Sequence, residues 1–156
     1  NDLLITALCS SKGVEHRIEH VATFKGVDYI NDSKATNTDA AIKAIEAVRE
    51  PIILLAGGLD KGSEFHDFIK AFNGKVKKMF VYGETAKKIF NTAKDLGYED
   101  VIIVKNLQEA VLNAYNISKA GDTILLSPAC ASWDMYKNFE ERGKEFKKIV
   151  EDLRRP

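Results

Sequence analysis

A chain of 156 residues, 45% of them hydrophobic and 29% charged, has the size and composition of one globular domain with an ordinary core, which argues against disorder. Lysine plus arginine balance aspartate plus glutamate at 23 each, so no net field draws the surface as a whole toward nucleic acid or an anionic membrane, and any anion site must be local. With no run of about 18 apolar residues to span a bilayer and only two cysteines, Cys9 and Cys130, the expectation is a cytoplasmic protein, with neither export nor membrane insertion, whose thiols are reduced and mostly buried.

Taken in chain order, Asn1–Lys12 carries Leu3, Leu4, Ala7 and Leu8 at helical spacing and reads as a short helix, the remnant of an inter-domain linker. Ile18–Phe24 and Val27–Asn31 flank Lys25-Gly26, a hairpin signal, so the domain is expected to open with two antiparallel strands. Ala41, Ile42, Ile45 and Val48 then recur as one helix face. Pro51–Ala56, Val76–Tyr82, Val101–Val104 and Thr123–Ser127 are β-branched and apolar, as strands covered on both faces should be. Between them Phe65, Phe68, Ile69 and Phe72 mark a helix starting near Ser63, and Ala86, Ile89, Phe90 and Ala93 mark another, closed by Gly97. Asn106 with Glu109 predicts the N-cap of a helix bearing Ala110, Val111 and Ala114. Met135, Phe139, Phe146, Ile149 and Leu153 are expected to line a long terminal helix. The alternation defines an α/β fold: a Rossmann-like, mostly parallel sheet of about six strands with helices on both faces.

Ligands of open α/β sheets bind beyond the carboxyl ends of strands, where helix N-termini and backbone N–H groups converge. The least generic segments of this sequence fall there. Asp32-Ser33-Lys34-Ala35-Thr36-Asn37 follows the second strand, Gly57-Gly58-Leu59-Asp60-Lys61-Gly62 the third, and Ser127-Pro128-Ala129-Cys130-Ala131-Ser132 the sixth. Each has a plain alternative. The first is rich in the usual capping and turn residues, although Lys34 just before a helix favours an anionic partner. The glycine segment suits a tight strand-to-helix turn as well as an anion site, and its Lys61-Gly62 order is not that of the phosphate-binding G-x-x-x-x-G-K-[ST] loop. Cys130 has no histidine near it in sequence, so a small buried hydrophobe is the better reading than a nucleophile. His16, His20 and His66 lack metal-ligand spacing, and His16-Arg17 reads on its own as a surface basic pair.

Taken together, Gly13-Val14-Glu15-His16-Arg17-Ile18-Glu19, the segments at 32–37 and 57–62, and the run from Ser127 through Gly143 resemble the Mur ligases, in order from about Gly13 to Leu153. Sister ligases that add L-alanine, a diamino acid or a dipeptide carry other residues where 32–37 stands, so the resemblance points to the D-glutamate-adding branch. Ser11 departs from the aromatic residue that relatives often place before the Lys-Gly pair.

The resemblance implies that residues 13–156 form the C-terminal, amino-acid-binding domain of a three-domain ligase. Its missing domains would bind UDP-N-acetylmuramoyl-L-alanine and, through a phosphate-binding loop, ATP with Mg2+. The implied reaction phosphorylates the precursor carboxylate, and the D-glutamate amine then attacks the acyl phosphate through a tetrahedral intermediate. By the same resemblance Thr36, Lys61, Ser132 and the backbone at Phe139 would hold D-glutamate, and Arg17, Asp32 and Lys34 would face ATP. No catalytic residue, no resident metal and no nucleic-acid partner is expected in this chain, which would be an inactive monomeric fragment. A folylpolyglutamate-type ligase domain and a free-standing nucleotide- or partner-binding α/β module are the alternative readings.

Overall fold

A computed structural model describes residues 14–155, so the expected helix at Asn1–Lys12, together with Cys9, lies outside the described residues. Strands β1 (Glu19–Phe24) and β2 (Val27–Asn31) form the expected hairpin. Its two-residue turn has Lys25 at φ 54° and Gly26 at φ 76°, the positive pair that matches the twist of the flanking strands. A side chain at Gly26 would also meet Ala120 Cβ at 2.6 Å, so the glycine satisfies packing as well as backbone conformation.

Then follow α1 (Thr38–Ala47), β3 (Ile52–Gly57), α2 (His66–Lys70), β4 (Val76–Tyr82), α3 (Ala86–Asp95), β5 (Val101–Ile103), α4 (Leu107–Ile117), β6 (Thr123–Leu126) and α5 (Phe139–Arg154). The sheet order is β1-β2-β6-β3-β4-β5, with every pairing parallel except β1 with β2. The last strand in sequence therefore sits between β2 and β3. That placement makes the three unusual loops neighbours.

Two cores lie on opposite faces, sorted by the two-residue period of the strands. Ile52, Leu54 and Ala56 of β3 pack with Ala41, Ile45, Phe68, Ile89 and Ala93, from α1, α2 and α3. Ile53 and Leu55 face the other way, toward Leu107 and Val111 of α4 and Phe146 and Val150 of α5. Each isoleucine, leucine, valine or phenylalanine among them contributes about 1.5–3 kcal/mol when fully buried.

Three expectations need correction. Strand β5 is an edge strand, and Ile102 and Ile103 are each 42% exposed, because among the described residues no further strand pairs beyond it. The helix expected from Ser63 is confined to His66–Lys70, with Phe65 and Phe72 buried from the flanking turns. Met135 lies outside the terminal helix and is 45% exposed; α5 begins at Phe139, where the Asn138 side chain accepts the Glu141 N–H and fixes the first turn.

Candidate functional site: a pocket at the strand ends

The loop after β3 starts with two glycines that nothing larger could replace. A Cβ on Gly57 (φ 127°) would sit 1.9 Å from the Tyr82 carbonyl oxygen, and one on Gly58 (φ 151°) 2.4 Å from that of Ala131. This closeness lets the loops bond directly. Gly57 N–H donates to Pro128 O at 3.0 Å and Leu59 N–H to Ala131 O at 2.9 Å, tying segments 57–62 and 127–132 together. Beyond them Gly62 N–H donates to Asp60 Oδ1, turning the chain so that Lys61 projects at the rim.

Segment 32–37 is joined to the same assembly through Asp32. Its Oδ2 accepts the Ser127 hydroxyl at 2.7 Å and its Oδ1 accepts the Ile18 N–H at 3.0 Å, while its own N–H donates to Leu126 O. The carboxyl is 3% exposed, and burial pushes its pKa up to about 6 against the opposing effects of these two hydrogen bonds and of Arg17. Asn37 closes the segment as the N-cap of α1, its Oδ1 accepting the Ala40 N–H.

Between these loops and the start of α5 lies a cavity of about 340 Å3, lined by Thr36, Lys61, Ala131, Ser132, Trp133, Asn138, Phe139 and Glu140. All four residues expected to hold the amino acid thus line one pocket. Ser132, one of the lining residues, is 2% exposed, and its hydroxyl has no hydrogen-bond partner among the described residues. Lys61 Nζ stands 5.3 Å from the centroid of the Trp133 ring. A lysine ammonium, two hydroxyls and helix-terminal backbone suit a carboxylate-bearing ligand. A wider cleft of about 560 Å3 beyond β4 and β5 holds none of the expected residues, and there Asp134 Oδ2 already accepts the Glu84 N–H.

Of the residues expected on the nucleotide side, Arg17 and Lys34 are exposed, whereas both Asp32 oxygens are engaged inside the fold. His16 is not part of a surface pair. It is 2% exposed beneath α5, and the missing side chain at Gly143 gives it room: a Cβ there would lie 2.1 Å from His16 Nδ1. Asn31 Oδ1 accepts the Ser33 N–H, so its Nδ2 donates to His16 Nδ1 at 2.9 Å and the ring carries its proton on Nε2. Burial is also the largest influence on the His16 pKa, holding it below the usual imidazole value.

Sequence reasoning missed Arg142, 1% exposed in α5; its only signal was an arginine falling on the apolar stripe of that helix. Glu15, His16 and Glu19 bring ligand atoms within 4.8 Å of one another, but Lys147 Nζ already bridges the two glutamates at 2.6 and 3.1 Å. Cys130 is buried and its thiol is pushed up to about 11 by desolvation, so it stays protonated and unsuited to nucleophilic attack.

A mostly parallel sheet with a pocket at the carboxyl ends of its strands defines the chain as an α/β domain, and comparison with known proteins narrows the class. Residues 16–130 match the family described as Mur ligase, glutamate ligase domain, and the chain belongs to that family. It is 62% identical over 154 residues to the UDP-N-acetylmuramoylalanine--D-glutamate ligase of Alkaliphilus oremlandii, covering 99% of this chain and 34% of that protein. The identity to the protein of the same name from Clostridioides difficile is 52% over 153 residues, again covering 34% of it. The chain therefore spans about a third of the length of the curated relatives it matches. Among solved structures, MurC of Thermotoga maritima superposes with a TM-score of 0.64 at 17% identity, over 96% of this chain and 33% of that one. E. coli FolC in complex with ADP gives 0.61 at 16%, over 92% and 32%. These two likenesses establish the fold alone. Among the described residues no helix is long and apolar enough to cross a membrane.

Proposed function

We propose that this chain is the amino-acid-binding domain of an ATP-dependent ligase that joins D-glutamate to UDP-N-acetylmuramoyl-L-alanine in the cytoplasm. The observation that carries the reading is the pocket, where loops of three adjacent strands place Thr36, Lys61 and the unpartnered Ser132 hydroxyl beside the first turn of α5. The names of relatives at 52–62% identity favour D-glutamate over a folylpolyglutamate-type substrate, whose structural neighbours share only the fold.

In this reading the Lys61 ammonium and the hydroxyls of Thr36 and Ser132, with backbone at Phe139, fix the two carboxylates of D-glutamate. Its amine is then presented to an acyl phosphate formed on the precursor. Holding the nucleophile in line converts a bimolecular encounter into an intramolecular one, and positioning is this domain's share of catalysis. The exposed Arg17 and Lys34 face the nucleotide. No loop here has the order that cradles ATP phosphates, and the one cluster of possible metal ligands among the described residues is bridged by Lys147, so ATP and Mg2+ are assigned to the remainder of the ligase.

The test joins this chain to the upstream portion of its own gene product and measures ATP consumption with and without D-glutamate and the UDP-linked precursor. Turnover that requires D-glutamate supports the reading, with background hydrolysis by the chain alone. Equal turnover with another amino acid, or ATP turnover by the purified chain, overturns it.

A further inference from the structure

Three contacts set the width of the pocket, and two of them are built from backbone. Segments 57–62 and 127–132 are joined by the Gly57–Pro128 and Leu59–Ala131 hydrogen bonds, and segment 32–37 is joined to β6 through Asp32 N–H and Leu126 O. The remaining wall, the first turn of α5, meets segment 32–37 through side chains. Ser33 Oγ donates to Phe139 O at 2.7 Å, Arg142 Nε donates to Ser33 Oγ at 2.9 Å, and Arg142 Nη2 donates to Ser33 O at 2.8 Å. The planar guanidinium fork thus grips one residue at two points, and that residue holds the carbonyl of Phe139, which lines the pocket together with Thr36.

The way Arg142 is buried marks it as more than filling. It is 1% exposed, and among the described residues no carboxylate lies within ion-pair distance and Nη1 has no hydrogen-bond partner. Burying a guanidinium without an ion-pair partner is unfavourable in general, and an apolar residue would fill such a place with less loss. What the arginine supplies, and an apolar residue would not, is a set of directed hydrogen bonds between segment 32–37 and the first turn of α5. Its neighbour Gly143 permits the same approach from the other side, since only a residue without a side chain lets α5 come down over His16 and Asn31.

We propose that Arg142, acting through Ser33, is a positioning residue of the pocket: its grip on Ser33 sets the separation of Thr36 from Phe139 and so the fit for the carboxylates of the amino-acid substrate. The identity of that substrate rests on the function proposed above; the positioning role does not.

Two arms separate these claims. In the first, backbone amide chemical shifts are compared between the 156-residue chain and its Arg142→Lys and Ser33→Ala variants. Lysine keeps the charge but loses the fork, while alanine removes the bridging hydroxyl and leaves the arginine in place. Both are expected to shift the amides of Thr36 and Phe139 while those of β3, β4 and α4 remain in place. Unchanged shifts at Thr36 and Phe139 in both variants overturn the proposal. In the second arm the assembled ligase is assayed. KM for D-glutamate is expected to rise about tenfold or more in each variant, with KM for ATP and kcat changed less than about threefold. Parallel increases in both KM values, or a lysine variant indistinguishable from the parent, overturn it, since the first denotes general loosening and the second a role for charge alone. An assembled parent enzyme that ignores D-glutamate would defeat the functional reading, and the amide shifts would still decide the role of Arg142.

Discussion

Lys61 rests beside the Trp133 indole at the rim of the pocket, exposed and held by no carboxylate ion pair among the described residues. A lysine so placed contributes little to the fold and is available to a ligand. In the assembled ligase Lys61→Ala is expected to lower kcat/KM for D-glutamate by about tenfold to a hundredfold, the scale of one charge-assisted contact, with the melting temperature unchanged. An unchanged kcat/KM would make it an ordinary surface lysine. Asp32 contrasts with it, because its carboxyl is internal and burial raises its pKa to about 6. The folded state therefore binds a proton that the unfolded chain has already lost. The stability this provides is full below the ordinary carboxylate range, near pH 4, and disappears as pH rises through about 6. Thermal melts should show the difference between the parent and Asp32→Asn growing more favourable to the parent from pH 7.5 to pH 4.5. A difference that does not vary with pH would mean that Asp32 titrates normally.

At the scale of elements, α1, α4 and α5 start where the sequence provides a side-chain acceptor, whereas α2 and α3 start without one. Asn37, Asn106 and Asn138 each accept an N–H from the residue three positions on, at 2.9 Å, and these caps set the first turns of α1, α4 and α5. Asn106 is remote from the pocket, so Asn106→Ala isolates the effect of a cap. Denaturant titration is expected to show a loss of about 1 kcal/mol with no change in ligand binding. A loss of binding as well would mean that α4 communicates with the pocket. The Asn106 cap was legible, and Asn37 fell in a segment rich in capping residues, because such side-chain chemistry acts within four residues; the Asn138 cap was not, since the expected terminal helix includes Met135. The short α2 and the late start of α5 were not, because the apolar spacing of Phe65 to Phe72 persists through flanking segments that pack on the same core, while Met135 continues the helical spacing of Phe139 from an exposed position before the Asn138 cap.

For the whole molecule, the pocket has walls from one domain only, and a small ligand there gains few contacts against the cost of its immobilisation. Free D-glutamate is expected to bind this chain with a dissociation constant on the order of millimolar or weaker. Trp133, the one tryptophan in the sequence and part of the pocket wall, offers a direct fluorescence readout of such a titration. Micromolar binding would mean that the site is complete without any other part of the ligase.

The sequence by itself determined the class of fold, the opening hairpin, the Asn106 cap, the family and the three loop segments, because periodicity, turn chemistry and motif order are local properties of the chain. Tertiary structure alone decided that β6 lies between β2 and β3, which brings segments from residues 32, 57 and 127 onward to one pocket. It also decided that His16 and Arg142 are internal while Ile102 and Ile103 remain exposed. These outcomes depend on which strands pair and which helix covers which face. Interactions between residues a hundred positions apart, such as Arg142 with Ser33, leave no local signature in either partner's sequence neighbourhood.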